Sequence, residues 1–263
     1  MANQMNYNYI IQLAVLGLTG ALAQTEAAIN LGSAENFAVL GASTVTSTGN
    51  TVINGDLGVS PGTAITGFGP GVVNGTTYSS GAVAAQAASD ALTAYNEAGS
   101  ETSIQNLTGQ NLGGLTLSPG VRNFSSSAQL TGTLILNAQG NPDAQFVFQI
   151  GSTLTTASTA SIELINGAQA DNVFWQVGSS ATIGTDSVIY GSILADASIT
   201  LTTGASLTGR AVALNGAVTM DDNSVSVATV PEPNSFLAGA LCLITFGVGK
   251  GVSLWRKQRR HQT

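Results

Sequence analysis

The chain has 263 residues, enough for one or two domains, but only 8% of them are charged, about a third of the share in an ordinary soluble domain. Between Gln24 and Val230, Arg122 and Arg210 are the only basic residues against thirteen Asp and Glu, a net of −11. This excludes a nucleic-acid partner, whose affinity would rest on Lys and Arg neutralising phosphates. Cys242 is the sole cysteine and His261 the sole histidine, so an internal disulfide and a thiolate or imidazole metal site are excluded as well. No metal, cofactor or catalytic residue is expected.

The chain begins with an apolar stretch, Tyr9 to Leu18, followed by Ala21-Leu22-Ala23. A short apolar core before an A-x-A site predicts a secretory signal peptide over residues 1–23, although no Lys or Arg precedes it.

Residues 24–229 read as one domain of short β-type runs punctuated by Gly, Asn, Asp and Ser, such as Phe146 to Ile150, Val173 to Val177 and Val188 to Leu194. Their recurrence every 18 to 27 residues predicts a solenoid. One segment breaks the pattern. Ala-rich Ser80 to Gly99 carries Val83, Ala87, Leu92 and Tyr95 near helical spacing and predicts one long helix over about 80–99.

Each strong strand is followed by a Thr/Ser-rich one, and these second strands align on an inner apolar residue: Val45, Ile65, Ala128, Leu154, Ala181, Ile199, Val218. Neighbours of an inward residue in a strand point outward. The outward pairs are then Thr44/Thr46, Ala64/Thr66, Ser127/Gln129, Thr153/Thr155, Ser180/Thr182, Ser198/Thr200 and Ala217/Thr219. Six of the seven second members are threonine. The alignment predicts a parallel face with hydroxyls and methyls about 4.8 Å apart between rungs and about 6.7 Å apart within a strand. Thr155, Thr182 and Thr200 are expected at its centre. Threonine also forms strands well for stability alone, so the ladder by itself leaves a binding role and a structural role both open. Arg210 is a lone cation in a neutral stretch and is expected to hold a carboxylate or coil-end carbonyls.

Residues 230–263 combine Pro231-Glu232-Pro233, a mostly apolar stretch over 235–255 and the basic run Arg256-Lys257-Gln258-Arg259-Arg260. The apolar stretch is long enough for a transmembrane helix, and the basic flank marks its cytoplasmic side. In order and spacing the tail resembles the PEP-CTERM sorting signal. That resemblance implies export, transient anchoring in the inner membrane, processing by an exosortase-type enzyme, and an extracellular, cell-surface or outer-envelope destination.

The central region resembles the microbial ice-binding-like domain family. The residues that carry the resemblance are Leu31 to Thr46, Ile53 to Gly62, Leu117 to Val121, Asp143 to Ile150, Asn172 to Gly178 and Leu207 to Ala211. It implies an all-β fold: a right-handed, discontinuous parallel β-solenoid of triangular section, with the long helix packed alongside. It also implies a monomer that adsorbs to the ice crystal surface through one flat face, slows recrystallisation and gives thermal hysteresis. Set on the ladder, the candidate ice-binding residues are Thr44, Thr46, Thr66, Thr153, Thr155, Ser180, Thr182, Ser198, Thr200 and Thr219. The alternative is a non-catalytic cell-surface or matrix protein that binds exopolysaccharide, for which Phe68, near the edge of the face, is the only aromatic on offer. An enzyme is disfavoured, because Asp221-Asp222 is the only adjacent carboxylate pair in the domain and reads as a surface turn.

Overall fold

A computed structural model describes residues 28–228. The expected leader at 1–23 and the Pro-Glu-Pro tail with its span at 235–255 lie outside the described residues. Among those described, no helix is long and apolar enough to cross a membrane. The fold below is that of the unit beginning at Leu31.

The short strands come in threes, one for each side of a coil. Phe146–Ile150, Leu154–Thr156 and Ser161–Ile165 make one coil, and Val173–Val177, Ala181–Ile183 and the start of Val188–Ala195 make the next. Every pairing between coils is parallel. Strands of three to five residues fit a side of this size, and turn residues close the corners. Two of the corners are continuous strand: Val188–Ala195 and Ser206–Ala213 each serve two sides. The bend falls at Gly191 and Gly209, with φ of 109° and 148°. A Cβ on Gly209 would lie 2.1 Å from the Gly191 carbonyl oxygen, so the stacked corner admits only glycine.

Coils do not stack in chain order. Thr44–Thr48 pairs with Val218–Asp221, and Phe37–Gly41 pairs with Ser206–Ala213, so the first coil sits on the last. The second coil lies beyond it, and its strands Ala64–Thr66, Val72–Asn74 and Thr77–Ser79 form one end. The chain then returns through the helix Ala82–Ser100 to begin the opposite end at residues 105–117. This is the discontinuity expected from the resemblance, with parallel sheets and a single α-helix among the described residues.

The helix starts two residues after the expected position, because Ser80 and Gly81 both hold positive φ in the turn before it. Its buried seam also differs from the one read in the sequence. Ala84, Ala87, Ala91, Ala94 and Ala98 are fully buried, whereas Val83 and Leu92 are 49% and 48% exposed. The alanines recur at three- and four-residue steps, the period of a helix face. The sheet beneath already carries bulk in Leu40, Phe174, Leu194 and Val212, so small side chains let the helix lie close. At its C-terminal end Gln149, buried, donates to the Ala98 and Glu101 carbonyls at 2.9 and 2.8 Å, satisfying acceptors the last turn leaves open. Asp90 ties the helix to the turn Gly32–Asn36 by accepting from the Ser33 amide at 2.8 Å and its hydroxyl at 2.6 Å. The Ser33 hydroxyl first, then its amide and Gln86, hold the Asp90 carboxyl below its ordinary pKa.

Inside the coils the core is a stack of mostly aliphatic residues that also holds Phe124, Phe146, Phe148 and Trp175. Phe148 and Trp175, on neighbouring coils, stack with ring centroids 4.0 Å apart, and the indole N–H donates to the Tyr190 carbonyl at 3.0 Å. Arg210 is buried and meets the expectation for it. It pairs with Asp171 at 2.8 Å and donates to the Glu35 carbonyl at 2.9 Å.

Candidate functional site

One side of the solenoid is a seven-stranded parallel sheet, made of the Thr/Ser-rich strands alone. Its registers match those read from the sequence. Ala128, Leu154, Ala181, Ile199, Val218, Val45 and Ile65 stack in that order, the first six fully buried and Ile65 half-buried at the end rung. The alternation of side chains therefore turns their neighbours outward. Gln129, Thr155, Thr182, Thr200, Thr219, Thr46 and Thr66 form one column, six consecutive threonines closed by a glutamine. Asn111 bridges to Gln129 and lies beyond it at that end of the column.

The order moves the centre. Thr200 is the middle rung, flanked by Thr182 and Thr219, and Thr46 is interior rather than terminal. Thr155, expected near the centre, lies one rung from the Gln129 end. The cause is the docking of the first coil on the last, which local spacing does not encode.

The two outward columns are not equivalent. In the first, Ser198 Oγ accepts from the Ala217 amide at 3.2 Å and Ser180 Oγ from the Ser198 amide at 3.3 Å, while Thr153 donates to Ser127 at 2.9 Å. These hydroxyls close the corner of the coil. In the second column, Thr46 donates to Thr219 at 3.3 Å, and among the described residues no protein group bonds the hydroxyls of Thr66, Thr155, Thr182 or Thr200. Those four hydroxyls are directed to solvent with both donor and acceptor capacity intact. Of the ten candidates, then, Thr46, Thr66, Thr155, Thr182, Thr200 and Thr219 share one free row. Thr44, Thr153, Ser180 and Ser198 share the row that also supports the backbone.

A feature missed in the sequence borders the middle rungs. Asp221 accepts from Thr203, and from Thr48 at 2.6 Å. These bonds, the Thr203 bond first, hold the Asp221 carboxyl below its ordinary pKa. The three side chains form a rim beside the threonine column. Between rim and column lies a shallow trough of about 280 Å³, lined by Thr46, Thr48, Thr200, Thr203, Thr219 and Asp221 among others. That is room for several waters. The signal for Thr48 was present, since it follows Thr46 at the strand period. Thr203 lies in a turn and no periodicity marks it.

Phe68 does not form an aromatic platform, because it is half-buried against the core. Of the pair read as a surface turn, Asp222 sits in the bend at φ 51°, whereas Asp221 ends the strand Val218–Asp221. Among the described residues no three His, Cys, Asp or Glu side chains are grouped to hold a metal. The other two sides differ in kind. One lies under the helix, with Gln176 against Gly99. The other is exposed but irregular, its middle row running Ile135, Glu163, Tyr190, Thr208, Ser226, Asn54, Asn74.

Comparison with known proteins gives a consistent result. A family described as ice-binding-like matches residues 39–226. An ice-binding protein of Nostoc sp. (strain HG1) is 55% identical over 247 residues, covering 89% of this chain and 91% of the relative. The crystal structure of an ice-binding protein from an Antarctic biological consortium superposes with a TM-score of 0.75 at 48% identity, covering 77% of this chain and 92% of that one. The ice-binding protein of the Antarctic ascomycete Antarctomyces psychrotrophicus superposes with a TM-score of 0.74 at 40% identity, covering 78% of this chain and 100% of that one.

Proposed function

The chain belongs to the ice-binding-like family, and from that premise we propose that it adsorbs to ice through the threonine sheet, with Thr200 and its neighbours at the centre. The observation that carries the reading is the unbroken row from Thr155 to Thr66, six rungs in register on a sheet whose spacing the backbone fixes. Threonine offers two things at each lattice point. The methyl group leaves adjacent water little choice but to bond to other water, and the hydroxyl pins that layer at a regular interval. Lys, Arg and Glu, which hydrate strongly in other geometries, are absent from both outward columns. Once the ordered layer merges with the crystal, ice grows only as curved fronts between bound molecules. Curvature lowers the local freezing point, which gives thermal hysteresis and slows recrystallisation.

Ice-affinity partitioning and a recrystallisation assay of residues 24–229 test the reading. Partition into the ice fraction and small, stable crystal grains are expected. Exclusion from ice by a folded protein would sink the proposal. The exopolysaccharide reading gains no support, since the threonine face carries no exposed aromatic ring.

The address is proposed on sequence alone. The leader over 1–23 directs export. The PEP-CTERM tail over 230–263 holds the chain in the inner membrane through 235–255 until an exosortase-type enzyme processes it, leaving the ice-binding unit outside the cell or on its surface. No catalytic role and no cofactor are assigned.

A further inference from the structure

The two ends of the solenoid are finished differently. At the end formed by residues 105–117, Leu107, Leu112 and Leu117 are buried and close the core. At the opposite end the inward residues Ile65 and Val73, with Phe68 packed beside them, are only half-buried, while Tyr78 lies half-buried in the helix-side column against Phe37. Among the described residues the strands Ala64–Thr66, Val72–Asn74 and Thr77–Ser79 have a partner on one side only. Their free edges carry unused backbone groups. Val72 N–H donates to the Thr51 carbonyl at 2.9 Å, and the Asn74 carbonyl accepts from Gly55 at 3.3 Å. Because successive residues of a strand direct their bonding groups to opposite sides, the N–H and C=O of Val73 face away from the solenoid. Thr76 and Ser80 are bonded inward at 3.0 Å, which by the same alternation leaves Thr77 and Ser79 facing out.

An open strand edge is guarded by charge, by Pro, by a bulge or by its shortness. Here the strands are short, but the charge is missing. No Asp, Glu, Lys or Arg occurs from Leu57 to Ser89, 33 residues that include the whole of this end, in a domain of net −11. Elsewhere the acidic surface repels a second copy, but here it does not. An identical end also fits geometrically. Every strand of the end coil runs the same way round the solenoid axis, so a copy turned over by a two-fold rotation presents strands antiparallel to those it meets. Both copies then contribute the same half-buried residues to an isologous interface.

We infer that this end, bounded by Ile65, Val73 and Tyr78, is a self-association surface, on which a second copy of the chain docks end to end by strand-edge pairing. The monomer expected from the sequence takes no account of it. The inference is independent of the role of the threonine face.

The test uses residues 24–229, which include every described residue of the solenoid, beside the full-length chain. Sedimentation velocity across a concentration series should show the mass doubling, with amide exchange at Val73 slowing in step. Val73→Pro removes the outward N–H without breaking an internal bond, and Val73→Lys sets a charge in the open end. Both should sediment as a single chain that keeps the folded β-sheet signature, at a somewhat lower melting temperature because Val73 packs against the core. If the proline variant does not fold, the lysine variant decides. A single-chain mass at every concentration, or dimers that persist in Val73→Lys, would overturn the inference. So would concentration-independent exchange at Val73 that slows only in the full-length chain, which would give this end to the chain's own tail.

Discussion

Thr46 and Thr219, 173 positions apart in the chain, meet hydroxyl to hydroxyl at 3.3 Å where the first coil rests on the last. The contact lies within the row of six threonines and joins its two halves. Each half alone would be short: Thr46 and Thr66 on one side, Thr155 to Thr219 on the other. The discontinuous topology therefore does more than return the helix along the solenoid, because it doubles back two coils to lengthen one face.

The position of the seam sets a graded expectation for bulky substitutions. Thr200→Tyr and Thr182→Tyr should sharply reduce ice shaping and recrystallisation inhibition, because a protruding ring holds the neighbouring rungs off the lattice. Thr66→Tyr, on the last rung, should reduce them less. Stability should change by about 0.5 kcal/mol or less, as for most exposed substitutions. A substitution at Gln176, on the same coil as Thr182, cannot serve as a control, since that residue lies under the helix. Thr208→Tyr on the irregular exposed side can, and it should leave activity intact. Full activity in a folded Thr200→Tyr variant would make the ladder structural and place the binding face elsewhere.

Much of this face was legible in the sequence because a strand enforces its period. Once Val45, Leu154 and Ala181 are set inward, Thr46, Thr155 and Thr182 must point out, and the registers follow. The order of the rungs was not legible. Which coil lies beside Thr46 depends on contacts between Phe37–Gly41 and Ser206–Ala213, and nothing local to either strand announces the other. The helix shows a second limit. Its period was visible, but Val83 and Leu92 drew attention as the larger apolar residues, whereas close approach to a bulky sheet selects the alanine seam. The rim of Asp221, Thr48 and Thr203 combines a strand end with a turn residue, a pairing no periodic pattern contains.

Arg210 and Asp171 supply a stability prediction. The guanidinium is buried and Asp171 is mostly so, with side chains 6% and 16% exposed. Arg210→Met keeps the apolar stem but leaves the Asp171 carboxylate and the Glu35 carbonyl without their donor. Loss of one member of a buried pair costs about 3 kcal/mol or more, and that loss should appear as a lower denaturation midpoint. The Arg210→Met, Asp171→Asn double variant should recover part of it, since the unpaired charge is gone. Equal destabilisation of single and double variants would show that the lost bond to the Glu35 carbonyl, not the unpaired Asp171 carboxylate, carries the effect.

Stability and activity should separate in their response to pH. Asp90 and Asp221 are both held below the ordinary carboxylate pKa by hydroxyl and amide donors. A group whose pKa is lower folded than unfolded favours the folded state above its unfolded value, about 3.9 for Asp. That contribution disappears as pH falls through the folded value. Melting temperature should therefore drop on acidification below about pH 4, and Asp90→Asn should flatten part of the drop. From about pH 5 to about pH 9 ice binding should stay constant, since Asp221 in the rim beside the threonine row is held below its ordinary pKa and remains ionised throughout. A bell-shaped activity profile in that range would place an unrecognised titrating group at the binding face.

Removal of residues 230–263 should change where the protein accumulates without changing what it does. The last strand of the solenoid, Ser224–Ser226, is already paired on both sides, with Ser206–Ala213 and Val52–Asn54. The Val227 amide is bonded to the Asn54 carbonyl at 2.9 Å. The ladder is thus complete before the Pro-Glu-Pro sequence begins, and the threonine row takes no residue from the tail. A chain ending at residue 229 should melt at the same temperature as the full chain in matched detergent, and should inhibit recrystallisation equally per mole. In the native host it should be lost from its normal compartment, because the proposed membrane span and processing site are gone. EDTA should leave the melting of the truncated protein unchanged, whereas loss of a bound ion would lower it by mass action. A truncated chain that fails to fold would move the domain boundary beyond Ala228 and give the tail a structural part.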